Sequence, residues 1–143
     1  MEKTVDIDAV MKLAKTAEKI EYEAEKDVGT DSKSCVNIAI AKDEAFCFLY
    51  DDNIAFLEEN GCRIMYFSPI HDSEIPHDAD GVIFWGGYPE RYAKELSENK
   101  SMIKSVKKVI DSGIACIAEC GGFLYLHSYL EGTDGKKYPM AGV

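Results

Sequence analysis

Short apolar runs alternate with segments of helical spacing along most of this sequence. Four of these runs predict strands: Val36–Ala41, Arg63–Ser68, Gly81–Trp85 and Ile114–Ala118. The runs lack the alternation of apolar and polar residues, which is typical of parallel strands buried on both faces. Three segments between or after them predict helices: Asp51–Gly61, Asn99–Gly113 and Gly121–Leu130. This order predicts an α/β domain with a doubly wound, mostly parallel sheet, a flavodoxin-like three-layer sandwich.

Caps and stops refine two of the predicted helices. Asp52 is placed as the N-cap of the first one, and Gly61 as its C-terminal stop. Gly113 ends the second helix in the same way.

Residues 1–34 differ from the rest of the chain. Val5–Ala24 is rich in Lys, Glu and Ala with apolar residues at helical spacing, and Asp6 or Asp8 suits its start. The polar segment Asp27–Ser34 is typical of a linker. We expect residues 1–34 to be a helix and linker, either packed loosely on the domain or the tail of another domain. The main domain then spans residues 35–143.

Composition excludes several classes of function. The net charge of -10 argues against a nucleic-acid partner or an anionic membrane surface. No apolar run approaches the roughly 20 residues that span a bilayer, and the start does not resemble a signal peptide. We therefore expect a cytoplasmic protein with free cysteines. The spacing of cysteines and histidines does not match a zinc finger, so no metal site is predicted.

Three unusual segments fall at the predicted carboxyl ends of strands. They are "KDEAFCF" at 42–48, "WGGYPE" at 85–90 and "AECGG" at 118–122. Ligands bind at this edge of doubly wound sheets, so we expect the three segments to form a site together.

Cys120 lies where the last predicted strand turns into a helix. Ala118, Gly121 and Gly122 around it fit a nucleophile elbow, with Cys in place of Ser. A helix N-terminus favours the thiolate, and the N–H of Gly121 is a candidate oxyanion donor. The pattern indicates acyl transfer through a thioester. By this physics alone, a buried structural thiol is an equally good interpretation.

The other four cysteines lack this setting. Cys116 lies inside a strand without adjacent glycines, and we predict that it belongs to the core. The same prediction covers Cys35, Cys47 and Cys62.

Gly86 and Gly87 follow the third predicted strand. They allow close approach of a ligand, and this loop, with Tyr88, is a candidate substrate loop. Gly87 is a candidate second oxyanion donor. Taken alone, the loop is better explained as a plain strand-to-helix turn, in which Pro89 begins a helix. No G-x-x-x-x-G-K-[ST] motif occurs in the chain, so no phosphate-binding loop of that type is encoded.

A cysteine acyl-transfer enzyme usually needs a histidine as proton shuttle. His71 and His77 lie in a polar stretch between strands, and His127 lies about 10 Å beyond the thiol along the predicted helix. All three are better interpreted as surface histidines than as a base. Either the chemistry differs, or the base lies beyond Val143.

Several motifs together carry a resemblance to a known family. "KDEAFCFLYDDN", "FSPIHD", "WGGYPERYAKELSENKSM" and "AECGGFLYL" resemble the glutaminase domains of cobyrinic acid a,c-diamide synthases, within the class I glutamine amidotransferase superfamily. The resemblance covers roughly Val36 to Val143. "DIDAVMKLA" is similar to the end of the ATP-dependent synthetase domain of such enzymes.

This resemblance implies a role for each matching residue. Cys120 matches the nucleophile, and Gly87 and Gly121 match the backbone oxyanion region. The substrate would be glutamine, with no cofactor in this domain. ATP, Mg²⁺ and a corrin substrate would belong to a synthetase domain outside this chain. The family's catalytic histidine has no counterpart here, which implies a domain truncated at its C-terminus with little turnover.

Other functions stay open at this point. Related amidotransferases act on a nickel tetrapyrrole (nickel sirohydrochlorin) or produce cobyric acid, and this domain alone would not distinguish them. A flavodoxin-like binding module is a non-enzymatic alternative, for which Asp51 and Asp52 are a faint match. An interaction domain with a structural thiol is another.

Overall fold

The computed structural model describes residues 5–19 and 35–143. Within these ranges a four-stranded sheet is followed by a two-stranded hairpin. The elements in chain order are α1 (Ile7–Ala14), β1 (Val36–Ala41), α2 (Asp51–Glu59), β2 (Cys62–Phe67), β3 (Gly81–Phe84), a 3₁₀ turn (Pro89–Tyr92), α3 (Ala93–Glu98), α4 (Lys100–Asp111), β4 (Ala115–Ala118), α5 (Gly121–Leu126), β5 (Tyr129–Glu131) and β6 (Lys137–Pro139).

All four strands of the main sheet run parallel, in the order β2-β1-β3-β4. Ile38 in β1 lies between Ile64 of β2 and Gly81 of β3. The next two strands along the chain therefore pair with opposite edges of β1. This is the strand order of flavodoxin-like sheets, and the predicted fold class is confirmed. Because the strands are parallel, the loops after β1, β3 and β4 meet at one edge.

Burial on both faces holds for part of the sheet only. Every residue of β3 and the second half of β1 is buried, as predicted. In the outer strands β2 and β4, however, Tyr66 and Ile117 are exposed, Ile117 by 59%. The apolar run of an outer strand therefore does not imply two covered faces.

The core lies beneath the carboxyl ends of β1 and β3. The rings of Phe46, Phe84 and Tyr125 contact one another there, with centroids 5.5–6.3 Å apart. Helix α4 contributes Met102 and Val106, which are fully buried and four residues apart on one face. The loop after β1 is thus fixed to the core by Phe46.

Helix ends confirm most of the predicted caps. Asp6 accepts a 2.9 Å hydrogen bond from the N–H of Ala9, and Gly61 and Gly113 have φ of 83° and 87°. The prediction for Asp52 is wrong, because α2 begins at Asp51 and Tyr50 precedes it without a side-chain cap. Helix α1 ends at Ala14, earlier than predicted. The rest of the predicted N-terminal helix from residue 20, and the linker Asp27–Ser34, lie outside the described residues.

The last predicted helix is also shorter than expected. It ends at Leu126, because His127 adopts an extended backbone, and Tyr129–Glu131 pairs with Lys137–Pro139 as an antiparallel hairpin. Helix α3 was not predicted, although Pro89 does begin the 3₁₀ turn before it. Among the residues described, no helix has the length and apolar character needed to cross a membrane.

Candidate active site

The three segments singled out in the sequence meet at one edge of the sheet. Phe48 N–H donates a 3.1 Å hydrogen bond to the carbonyl oxygen of Gly86, which joins the loop after β1 to the loop after β3. A Cβ added to Gly86 would lie 3.6 Å from the Cβ of Cys120, so the loop after β4 is adjacent too. The expectation that these segments lie together is confirmed.

A cavity of about 260 Å³ opens between the three loops. Its lining combines aromatic rings, one amide, one carboxylate and one thiol, from Phe48, Tyr50, Asn53, Trp85, Gly86, Glu119 and Cys120. This volume is below the roughly 300 Å³ at which pockets for drug-sized ligands begin. The space suits a ligand of the size of a single amino acid.

Cys120 adopts a backbone conformation that side chains rarely take. Its φ is 50° and its ψ is -114°, and in the described ranges it is the single non-glycine residue with positive φ. Such a backbone costs of order 1–3 kcal/mol and persists where surrounding contacts enforce it. Its thiol is exposed at the cavity. This geometry is that of a nucleophile elbow.

Two backbone hydrogen bonds hold this turn on either side of the thiol. Glu119 N–H donates to the carbonyl oxygen of Phe84 at 2.9 Å, and Leu124 N–H donates to the carbonyl oxygen of Cys120 at 3.1 Å. The thiol therefore lies at a fixed junction between β4 and α5.

Gly121 and Gly87 pack directly against each other. A Cβ on Gly121 would lie 3.1 Å from both the nitrogen and the carbonyl oxygen of Gly87. A Cβ on Gly87 would overlap the carbonyl of Ala45. Neither glycine N–H donates a hydrogen bond to any part of the chain that the structure describes. Two unbonded amides thus lie beside the turn that carries the thiol.

Tyr88 lies outside the cavity lining, although it belongs to the same predicted substrate loop as Gly86. Its ring packs edge-on against Phe48, with centroids 5.2 Å apart, and it is not among the cavity-lining residues. Tyr88 therefore supports the wall of the cavity through Phe48.

The three histidines lie away from this cavity. His71 Nε2 is 3.0 Å from a carboxylate oxygen of Glu44, and His77 pairs with Glu74 at the same distance. His127 is exposed and its ring packs against Phe123. None of them lines the cavity with Cys120.

The remaining cysteines divide into two groups. Cys116 and Cys62 are partly buried, and burial raises the pKa of the Cys116 thiol. Cys35 and Cys47 are exposed, so the prediction that they belong to the core is wrong. The reason is local: Cys35 precedes β1, and Cys47 lies in a loop where its neighbour Phe46 is buried instead.

Asp43 fixes the loop that carries Phe48. Oδ1 accepts from the N–H groups of Ala45 and Phe46, at 2.9 and 3.1 Å. Oδ2 accepts from the Ser68 hydroxyl and the Ile70 N–H, both at 2.9 Å. The carboxylate thus joins the loops after β1 and β2. Asp43 lies in "KDEAFCF", but no local pattern of the sequence predicts these contacts.

Five of the lining residues had no role predicted from the sequence. Phe48, Trp85 and Glu119 lie within the quoted segments, but nothing in their spacing gave them a role. Tyr50 and Asn53 begin helix α2, and the signal for them was the short distance from the end of β1.

Sequence comparisons place this site in a known context. Residues 37–143 match the family described as the CobB/CobQ-like glutamine amidotransferase domain. The chain is 50% identical over 106 residues to the cobyrinate a,c-diamide synthase of Fusobacterium nucleatum, covering 74% of this chain and 24% of that protein. The synthase of Clostridium tetani is 44% identical over 134 residues, with coverages of 94% and 29%. That of Picrophilus torridus is 41% identical over 146 residues, with coverages of 100% and 32%.

The chain spans less than a third of the length of these curated relatives. The family match, by contrast, covers most of the chain and includes every segment that forms the cavity. This chain belongs to the CobB/CobQ-like glutamine amidotransferase domain family.

Proposed function

We propose that this chain is the glutamine-hydrolysing domain of an ATP-dependent cobyrinate a,c-diamide synthase, with Cys120 as its nucleophile. The observation that carries the proposal is the backbone of Cys120, whose φ of 50° presents an exposed thiol to a cavity of amino-acid size. The names of the relatives support the choice of cobyrinate as the final acceptor.

In the first half-reaction, the Cys120 thiolate attacks the side-chain amide carbon of glutamine. A C–S bond forms, and the carbonyl oxygen becomes an oxyanion. The N–H groups of Gly121 and Gly87 are the proposed donors to this oxyanion, with Gly86 beside the thiol in the substrate loop. Their lack of other acceptors in the described chain supports this role.

Collapse of the tetrahedral intermediate breaks the C–N bond. The nitrogen takes up a proton and leaves as ammonia, and a γ-glutamyl thioester remains on Cys120. Water then adds to the thioester carbonyl, the C–S bond breaks, and glutamate and the free thiol are released. Both halves need a group that gives and takes protons.

This proton carrier is proposed to be a histidine outside the 143 residues. His71, His77 and His127 are all absent from the cavity lining, and two of them are paired with carboxylates. We therefore expect the chain alone to bind glutamine weakly and to turn over very little.

The ammonia acceptor and its activation are assigned to the remainder of the full-length protein. No cofactor is proposed for this domain, since the chain carries no phosphate-binding loop of the Walker type. ATP, Mg²⁺ and the corrin substrate would bind in a synthetase domain, whose tail we propose to be residues 1–34. The glutaminase domain is residues 35–143, and the cytoplasm is its proposed location.

The test uses 6-diazo-5-oxo-L-norleucine, a glutamine analogue with an electrophilic diazoketone at the amide position. We expect it to alkylate Cys120 selectively, which peptide mapping by mass spectrometry detects. Cys47 is the matched control, because it is also an exposed cysteine at the same edge of the sheet. Equal labelling of Cys47 and Cys120 would contradict the proposal.

A second measurement tests the missing proton carrier. Glutamate release by the 143-residue chain should stay near the background of the Cys120→Ala variant. Release at a rate of about 1 s⁻¹ or more, the range of working enzymes, would show that the chain contains its own base.

A further inference from the structure

Glu119 is the one charged side chain among the residues that line the Cys120 cavity. The other lining groups are three aromatic rings, an amide, a glycine and the thiol. Glu119 is exposed, and within the described ranges its carboxylate makes no hydrogen bond and no ion pair. The cavity therefore carries one unneutralised negative charge next to the thiol.

The chemistry of the lining favours a cation at this place. A carboxylate attracts an ammonium group and forms charge-assisted hydrogen bonds with it. Phe48, Tyr50 and Trp85 line the same cavity, and the face of an aromatic ring attracts a cation through its quadrupole. The carboxylate and the aromatic rings point independently to a ligand with a positive charge.

The position of Glu119 relative to the thiol fits one part of the substrate. Glu119 and Cys120 are sequential, so their Cα atoms are about 3.8 Å apart. In glutamine, three carbon–carbon bonds of about 1.5 Å each separate the side-chain amide carbon from Cα, which bears the ammonium group. With the amide carbon at Cys120, the ammonium group lies within reach of the neighbouring glutamate side chain.

We infer that Glu119 binds the α-ammonium group of glutamine and so selects the free amino acid. This inference rests on the proposed function and deepens it, since it names a specificity-determining residue of the same site. A simple amide without an ammonium group, or a glutamine acylated on its α-nitrogen, gains nothing from the carboxylate. Both would be poor substrates for the same thiol.

The experiment measures the rate of Cys120 labelling in the 143-residue chain with three electrophiles. The first is 6-diazo-5-oxo-L-norleucine. The second is 6-diazo-5-oxohexanoate, which has the same reactive group and lacks the ammonium group. The third is iodoacetamide, which reports the intrinsic reactivity and access of the thiol. Each reaction is followed by mass spectrometry on the parent chain, on Glu119→Gln and on Glu119→Asp.

Glu119→Gln should slow labelling by the diazo amino acid roughly tenfold, the scale of one lost charge-assisted hydrogen bond. The labelling rates with 6-diazo-5-oxohexanoate and with iodoacetamide should change less than about twofold in Glu119→Gln, because neither reagent has an ammonium group. Glu119→Asp should recover part of the rate. Glu58→Gln, an exposed glutamate on α2, is the control for net charge and should leave all three rates unchanged.

The outcomes separate this inference from the function on which it rests. If the parent chain is labelled at Cys120 no faster than at Cys47, the proposed function fails and the inference with it. If Cys120 is labelled selectively but Glu119→Gln reacts as fast as the parent, only the inference fails. A loss that is equal for all three electrophiles also overturns it, because it would show that Glu119 acts on the thiol rather than on the ligand.

Discussion

The N–H of Glu119 donates a 2.9 Å hydrogen bond to the carbonyl oxygen of Phe84. Glu119 is the residue after Ala118, the last residue of β4 that pairs with β3. The same carbonyl oxygen is the atom nearest to a Cβ added on Gly122, in the first turn of α5. One peptide group of β3 thus contacts the turn on both sides of Cys120. The turn can close in this form only because the residue at 122 has no side chain.

Gly122→Ala should therefore destabilise the fold strongly. The added methyl group would overlap the backbone of Phe84, which cannot move without disturbing the buried strand β3. We expect a loss of about 3 kcal/mol or more in the free energy of unfolding, the upper range for overpacked sites. Urea unfolding followed by circular dichroism measures it.

Gly113→Ala is the matched control for this substitution. Gly113 has φ of 87° and no atom within 4 Å of an added Cβ, so its replacement costs backbone strain alone. That cost is about 1–2 kcal/mol. Equal losses for the two variants would contradict the steric argument at Gly122.

Cys120→Gly should stabilise the chain while it removes the exposed thiol. The backbone at Cys120 has φ of 50°, which glycine adopts without strain. Relief of strain, offset by the greater freedom of glycine in the unfolded state, leaves an expected gain of about 1 kcal/mol. Cys120→Ala keeps the strain and should match the parent within about 0.5 kcal/mol. If Cys120→Gly is less stable than Cys120→Ala in urea unfolding, the turn is not strained.

Much of the site's placement could be predicted from the sequence because it depends on local signals. Strand ends follow from apolar runs, and a cysteine followed by Gly121 and Gly122 indicates a tight strand-to-helix turn. Parallel strands then bring the loops after β1, β3 and β4 to one edge. The meeting of Phe48, Gly86 and Cys120 follows from these two rules.

The rest depends on contacts between distant residues, which spacing does not encode. Asp43 bonds to Ser68 and Ile70 across two loops, and no local pattern shows that pairing. Cys47 is exposed because Phe46 occupies the buried position beside it. The early end of α5 depends on the pairing of β5 with β6, which overrides the helical spacing of the preceding residues.

Asp43→Asn should loosen the loop that forms one wall of the cavity. Each of the two carboxylate oxygens accepts two hydrogen bonds. In asparagine one of these oxygens becomes an NH₂ group, which cannot accept the two hydrogen bonds at its position. We expect a loss of about 2–3 kcal/mol in the free energy of unfolding, the scale for hydrogen bonds to charged groups. Labelling of Cys120 by the diazo amino acid should slow as well, since Phe48 lies on the same loop.

Ser68→Ala provides the comparison for Asp43. It removes one of the four donors to the carboxylate and also the acceptor of the His71 N–H, and should cost about 1–2 kcal/mol. If Asp43→Asn is no more destabilising than Ser68→Ala, the carboxylate does not hold the loop in the way that its contacts indicate.

Tyr125→Phe should stabilise the chain, most of all at alkaline pH. The Tyr125 hydroxyl is buried and has no hydrogen-bond partner among the described residues. Burial, and next the nearby charge of Asp43, raise the pKa of this phenol well above its ordinary value of 10.0. Above about pH 10 the unfolded chain loses this proton while the folded chain keeps it, so stability falls as pH rises. The phenylalanine variant lacks this titration. At pH 7, urea unfolding should show a gain of about 1 kcal/mol in the free energy of unfolding. Above pH 10, the free energy of unfolding of the variant should fall less steeply than that of the parent, by up to about 1.4 kcal/mol per pH unit. Tyr129→Phe, at a residue exposed by 63%, should change neither quantity. A loss of stability in Tyr125→Phe would show that the hydroxyl is hydrogen-bonded in solution, for example through a buried water to Asp43.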